Sequence, residues 1–276
     1  MTDQQYSPAG FRLLPPVVKN LLIINGLFYL ATVSLETAFG IDLVRLLGLH
    51  YFKSDLFEPY QFVTYMFLHA DFGHVLWNML ALWMFGYLLE NVWGPKRFLT
   101  YYMATGIGAA FVQTIVQWWS FSSLETAMTA YNLSPGIDSF VAFVNNYPPH
   151  SQELFDHLKA FLSDWNSNPL SEHNFLLSKE NILQLYQDQL STPTIGASGA
   201  VYGILLAFGM MFPNMLVFIY FLFPLKAKWL VIIYGAIELF SGISNNPADN
   251  VAHFAHLGGM IFGFFLIWYW RKKSVL

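Results

Sequence analysis

Charge is scarce in this sequence. Of 276 residues, 13 are Lys or Arg and 17 are Asp or Glu, so 11% are charged, against roughly 25% in a soluble domain. A soluble surface cannot be built from so few. The net charge of −4 leaves no basic footprint for nucleic acid. Cysteine is absent altogether, which excludes disulfides, thiolate nucleophiles and Cys-ligated metal. The start, MTDQQYSPAGFRLLPP, lacks a basic leader and a small-residue cleavage site, so no removable signal peptide is expected. What the chain has instead is 55% hydrophobic and 18% aromatic residues and a mean hydropathy of +0.44. It is expected in a lipid bilayer.

Six stretches approach the roughly 20 apolar residues that a membrane span needs, near 18–38, 72–90, 98–119, 195–212, 228–243 and 251–270. The run Met215 to Leu225, bounded by Pro213 and holding Pro224, is too short to cross and is expected at the interface or folded back on the bundle. A seventh helix there would put the termini on opposite faces. With six spans, Arg12, Lys19, Lys96, Arg97, Lys226, Lys228, Arg271, Lys272 and Lys273 share one side, and of the short loops only Arg45 and Lys53 lie on the other. Excess cations mark the cytoplasmic side, so both termini are expected there. The compact chain and the lack of a targeting segment suggest the inner membrane of a bacterium.

Residues 121–195, between the third and fourth spans, break the apolar pattern. They hold eight acidic residues against Lys159 and Lys179 alone. Apolar positions recur at helical spacing in SQELFDHLKAFLSDW (151–165) and SKENILQLYQDQL (178–190), with Ser178 and Asn181 as candidate starting caps. A small, acidic, mostly helical extramembrane insertion is expected. It is either a solvated connection or a substrate-selecting element.

Polar groups inside the spans need partners or water, because hydrocarbon offers neither. His74 and Asn78 lie four residues apart on one face of span two. Ser198, flanked by Gly196 and Gly199, opens span four, with Tyr202 four residues on. His253 and His256 lie in span six and Glu238 in span five. Singly, each fits a packing role, and Gly199 with Gly203, or Gly259 with Gly263, has the spacing of close helix contacts. Together they point elsewhere. His74, Ser198 and His256 all sit near the outer starts of helices that run inward, so they can meet at one shallow, water-facing level.

Such a set contains a hydroxyl nucleophile, an imidazole base and side-chain donors for an oxyanion, the parts of a serine hydrolase. A helix start at Ser198 adds free backbone N–H groups, and Tyr202 could stack on the imidazole. Two other readings compete. His253 and His256 could share a metal with His69 or His74, although no HExxH pattern occurs and Asp249 is the only acid beside the pair in sequence. A proton-coupled transporter would need charged or broken helices at mid-membrane, whereas the polar residues here are shallow and only Glu238 resembles a buried acid.

At these residues the chain resembles the rhomboid intramembrane serine proteases. YMFLHADFGHVLWNMLALWMFG carries His69, His74 and Asn78 in the family's second-helix pattern. TIGASGAVYG matches its GxSG motif with Tyr at plus four, and VAHFAHLGGMIFG its sixth-helix pattern, which selects His256 over His253. The likeness covers roughly 17–120 and 195–272. It implies an all-α polytopic membrane protein, a single domain over 1–276 built as a six-helix bundle; the helical insertion 121–195 between helices three and four is far longer than the family's usual third loop, and nothing in the family pattern explains it. The resemblance implies a Ser198–His256 dyad without a third carboxylate, and an oxyanion hole from the Ser198 N–H, His74 and Asn78. Tyr202, Gly196, Gly199, Gly259 and His69 take supporting roles, with no metal and no cofactor. The partners implied are the lipid bilayer and single-span or polytopic membrane-protein substrates, cut near the outer ends of their transmembrane segments; the alternative is a non-catalytic relative that binds transmembrane helices. Where the family commonly has a Trp-Arg pair in the first external loop, this chain has Tyr60 and Gln61.

Overall fold

The computed structural model describes residues 12–219, 223–244 and 251–273; the extreme N-terminus and Asp249 lie outside the described residues. Among them the chain forms α1 (Pro16–Phe39), α2 (Leu43–Leu47), α3 (Gln61–Thr64) with a 3₁₀ turn Tyr65–Phe67, and α4 (Phe72–Trp93). There follow α5 (Pro95–Leu133), α6 (Ile137–Asn146), α7 (Gln152–Ser167), α8 (Glu172–Ser191) and α9 (Ser198–Met211). Strands β1 (Leu216–Ile219) and β2 (Phe223–Lys226) lead into α10 (Ala227–Ser244) and α11 (His253–Lys272).

Six of these helices, α1, α4, α5, α9, α10 and α11, pack as one bundle with α9 at its centre, touching α4, α5, α10 and α11. The helices α1, α4, α5 and α10 are each long and apolar enough to cross a membrane. Helix α9 has only 14 residues, about 21 Å at 1.5 Å per residue. It needs no greater length, because its neighbours enclose it: Gly199, Ala200, Gly203, Ile204, Ala207 and Phe208 are all buried. The outer surface is apolar, with Leu27, Leu30, Ile232, Phe240, Phe265 and Trp268 exposed, as a lipid-facing surface requires. Polar groups are turned inward. Buried Glu90 at the far end of α4 accepts the backbone N–H groups of Val17 and Val18 at 2.9 and 2.8 Å, satisfying the otherwise free start of α1. The cations gather at that same end, where Arg271 donates to the Met210 carbonyl at 2.9 Å and Arg97 lies over the Trp270 ring.

The structure departs from the sequence reading in four places. Helix α5 does not stop near 119 but runs 39 residues to Leu133, because no Gly or Pro interrupts it between Gly108 and Pro135. The insertion therefore begins inside a continuous helix. The helix starting cap is Ser171, whose Oγ accepts the Asn174 N–H at 3.2 Å. Ser178 is instead buried mid-helix, accepting from the Tyr131 hydroxyl at 2.6 Å. Helix α6 was not foreseen. Finally, the run 215–225 does fold back on the bundle, Val217 and Leu225 packing against its core, but as an antiparallel hairpin that the sequence reading did not specify, Leu216 opposite Lys226 and Ile219 opposite Phe223, and not as a seventh span. Pro213 and Pro224 deny a helix its backbone donors, and Pro224 is tolerated because a two-stranded ribbon has free edges.

A second core, separate from that of the bundle, joins the outer part of α5 to α6, α7 and α8 through Phe121, Leu124, Tyr131, Phe140, Trp165 and Leu185. The insertion is thus a packed helical unit. Glu125 ties it to the loop between α2 and α3, accepting from Lys53 at 2.8 Å and from the Tyr186 hydroxyl at 2.9 Å. The Lys53 ammonium holds the Glu125 carboxyl below its ordinary range, while burial first, and then Glu125, pushes the Tyr186 phenol up to about 12.

Candidate active site

The starts of α4, α9 and α11 converge at the end of the bundle opposite the cations. Ser198 is the first residue of α9, so its N–H has no acceptor one turn back. The preceding Gly196 has φ +127°, a conformation rare for side-chain-bearing residues. A Cβ there would stand 2.9 Å from His74 Nε2 and 3.4 Å from Ser198 Oγ, so the missing side chain leaves room beside the hydroxyl. The turn is pinned by Gly196 N–H donating to the Tyr65 carbonyl at 2.9 Å.

Ser198 Oγ lies 2.7 Å from His256 Nε2. Behind the ring, His256 Nδ1 lies 2.9 Å from Glu238 Oε2. A carboxylate on Nδ1 keeps the proton there and leaves the Nε2 lone pair to accept the Ser198 Oγ–H. Tyr202 stacks on the imidazole with ring centroids 4.3 Å apart and planes 7° from parallel, and its hydroxyl donates to Glu238 Oε1. His253 Nδ1 also reaches Glu238 Oε2, at 2.6 Å.

His74 is fixed by Asp71, which caps α4 by accepting the His74 N–H at 2.8 Å. His74 Nδ1 accepts the Ala70 N–H at 3.3 Å, which places the ring proton on Nε2, the nitrogen beside Gly196 and Ser198. Asn78 Nδ2 donates one hydrogen to the His74 carbonyl at 2.9 Å and keeps a second. His74, Asn78, Ser198, Tyr202 and His256 line one cavity of about 2130 Å³, together with Asn146 at the end of α6 and Tyr147 to His150 of the α6–α7 loop. His69, buried in the loop before α4, sets its ring edge-on to His74 at 5.0 Å. Burial above all, with His74 beside it, lowers its imidazole to about 4, so it is neutral at pH 7.

The residues expected to form the dyad, the oxyanion hole and the stacking ring, Ser198, His256, His74, Asn78 and Tyr202, are therefore found around one cavity, with helix packing that Gly199 and Gly259 make possible: a Cβ on Gly259 would meet the Gly199 backbone. Of the histidines weighed for metal, His253 and His256 come together with Glu238, their ligand-type atoms within 4.8 Å of one another. His69 and His74 pair with each other instead. In the loop where Arg was absent, buried Gln61 ties the chain together, accepting the His50 N–H at 3.2 Å and donating to the Leu56 carbonyl at 2.8 Å. The resemblance implied no third carboxylate, yet Glu238 stands behind His256. Its signal was in the sequence: it lies within two turns of the outer end of its helix, close to the depth that selected the other site residues.

The fold and site define a polytopic helical membrane protein with a hydrogen-bonded serine–histidine pair at the end of its bundle opposite the cations. The chain belongs to the rhomboid family, whose Rhomboid domain model matches residues 56–130 and 176–273, more than half of the chain. The unmatched stretch between these segments covers α6, α7 and the ends of their neighbours. A mitochondrial RHOMBOID-like protein 12 of Arabidopsis thaliana is 24% identical over 214 residues, 78% of this chain and 46% of that one. An uncharacterised mitochondrial rhomboid protein of Schizosaccharomyces pombe is 24% identical over 81% of this chain and 56% of its own. The rhomboid protease GluP of Bacillus subtilis is 40% identical over 50 residues, 18% of this chain and 10% of GluP. The chain thus spans about half the length of the two mitochondrial relatives.

Proposed function

We propose that the protein is an intramembrane serine endopeptidase that cleaves transmembrane segments of membrane-protein substrates near their outer ends. The observation that supports this best is the 2.7 Å contact between Ser198 Oγ and His256 Nε2, in a cavity shared with His74 and Asn78. In the proposed reaction Ser198 Oγ attacks the scissile carbonyl carbon while its proton passes to His256 Nε2. The carbonyl electrons move onto oxygen, where the Ser198 N–H, His74 Nε2–H and Asn78 Nδ2–H are the donors at hand. Collapse breaks the C–N bond, and the leaving amine takes the proton from His256. A water in the cavity then repeats the sequence: it gives a proton to Nε2, its oxygen attacks the acyl carbon, and collapse returns the proton to Ser198 Oγ. Neither step needs a metal or a cofactor.

The cationic end of the bundle is read as cytoplasmic, which puts the serine at the outer face with both termini inside. The mitochondrial relatives lend no support to a bacterial inner membrane in particular, and the proposal keeps the orientation alone. The α6–α7 loop, as part of the cavity wall, is proposed to help select substrates.

The test is labelling of the purified protein in detergent with a fluorescent fluorophosphonate. Wild type should label, and Ser198→Ala and His256→Ala should not. A folded wild type that never labels would overturn the reading in favour of a helix-binding role, which Ser198→Ala would leave intact.

A further inference from the structure

Helix α10 is an unexpected place for an acid. Around it most side chains face outward and are apolar: Ile232, Ile233, Ile237, Phe240 and Ile243 are all exposed, and the others that are buried, Ala227, Leu230 and Val231, are apolar too. Yet Glu238 is 6% exposed, and in hydrocarbon a carboxylate is retained only where something specific receives it. Three donors do. Tyr202 of α9 reaches Oε1, while His253 and His256 of α11 reach Oε2 at 2.6 and 2.9 Å. The carboxylate is therefore held on both oxygens by two other helices. One of its holders is the ring that touches Ser198, which gives an unbroken line from Glu238 to His256 to Ser198 with steps of 2.9 and 2.7 Å.

We propose that Glu238 is the positioning residue of the Ser198–His256 pair, making the machinery an acid–histidine–serine triad spread over α10, α11 and α9. This rests on the hydrolase reading above. An imidazole has two tautomers, and only the one with the proton on Nδ1 leaves Nε2 free to accept from Ser198. Glu238 holds that tautomer by accepting the Nδ1–H, and Tyr202, stacked face to face, stops the ring from rotating away. When Nε2 takes the serine proton, the imidazolium that forms lies against a fixed anion; the Nδ1 proton stays on nitrogen and the carboxylate is unchanged over the cycle. His253 and the Tyr202 hydroxyl act one step further out, fixing where the carboxylate points.

A carboxylate that merely fastened three helices together would have the same contacts, so the test separates the two roles. Fluorophosphonate inactivation divides into a binding constant and a maximal phosphonylation rate, and only the second requires His256 to take a proton. Glu238→Gln keeps the volume but lets the amide donate to Nδ1, favouring the wrong tautomer. Neutralising the acid of a serine protease triad costs on the order of 10⁴-fold. The maximal rate should fall by at least about 10²-fold here, with probe binding unchanged. A maximal rate within threefold of wild type, or a loss confined to probe binding, would overturn the proposal. Glu238→Asp, shorter but charged, should outperform Glu238→Gln; the reverse order would also overturn it. If the glutamine variant does not fold, ¹⁵N NMR of histidine-labelled wild type decides, the His256 signals being identified by their absence from His256→Ala. A protonated Nδ1 is expected, and a bare Nδ1 would overturn the proposal. If wild type fails to label while Glu238→Gln behaves likewise, the hydrolase reading falls and this proposal with it; a labelled wild type with an unimpaired Glu238→Gln removes only the proposal.

Discussion

Replacing Gly259 by alanine adds one methyl group where two backbones meet. The new Cβ would stand 2.8 Å from the carbonyl carbon of Gly199 and closer still to its oxygen, whereas carbon atoms rest at about 3.5–4.0 Å. No rotamer relieves this, because every atom in the clash is main chain, so α9 and α11 must part by at least roughly 0.8 Å to clear the carbon, and further to clear the oxygen. Gly199 adjoins Ser198, and His256 lies one turn before Gly259, so the displacement falls on the Ser198–His256 contact. That contact would lengthen from 2.7 Å to at least about 3.5 Å, the limit of a hydrogen bond. A misplacement near 1 Å costs about 10²-fold in rate, and overpacking costs about 1–3 kcal/mol in stability. The assay is the pseudo-first-order rate of fluorophosphonate labelling, with thermal unfolding in the same detergent. Gly26→Ala on α1, where an added Cβ meets nothing within 4 Å, is the control and should label at the wild-type rate. A Gly259→Ala protein that labels within threefold of wild type would refute the reasoning, since the backbone contact would then not set the spacing of the pair.

Acid should destabilise the fold through His69. Its imidazole titrates near 4 in the folded protein against 6.5 ordinarily, so its contribution is complete above about pH 6.5 and is lost as the pH falls towards 4. The loss is about 3 kcal/mol at pH 4. Unfolding temperatures between pH 7 and pH 4 should fall less steeply for His69→Phe, and parallel curves would contradict the burial argument. His74→Ala and Asn78→Ala should each slow acyl transfer by about 10²-fold, measured as hydrolysis of a reporter transmembrane segment; either variant at full rate loses its donor role. Asp71→Ala removes the α4 cap and should lower stability by about 1 kcal/mol, read by thermal unfolding, and unchanged stability would show that water replaces the cap. Exchanging residues 146–150 for a Gly-Ser segment should alter which reporter segments are cut while leaving the fluorophosphonate rate near wild type. An unchanged substrate preference would assign the loop to the wall alone.

Much of the bundle was legible because lipid constrains the chain so strongly: long apolar runs between polar breaks admit little besides helices. The site was legible because Ser198, His74 and His256 each fall at the start of a helix, so depth alone brings them together. Glu238 was visible as a buried acid but not as the partner of His256, since pairing residues on two helices requires knowing how each is rotated about its axis. Glu90 escaped notice for a related reason, as its partners are the backbone groups of Val17 and Val18, which every residue carries. The hairpin at 216–226 read only as an apolar run too short to cross and folded back or lying at the interface, its strands too short for alternation to stand out. Ser178 looked like a cap because serine is favoured both at helix starts and, more rarely, as a buried hydroxyl; only the tertiary contact with Tyr131 tells the two apart.

At 39 residues, α5 is about 58 Å long, nearly twice the roughly 30 Å hydrocarbon core. It behaves as a mast. The unit it carries is lashed again on the return path, where Leu49 and Thr194 exchange backbone hydrogen bonds of 2.9 and 2.8 Å just before the serine turn. With no joint at the foot of the mast and a second mooring at the far side, the outer unit stands at a fixed height over the cleft. Under the proposed function, a segment bound for Ser198 is then expected to enter from the side, through the plane of the lipid, beneath that unit.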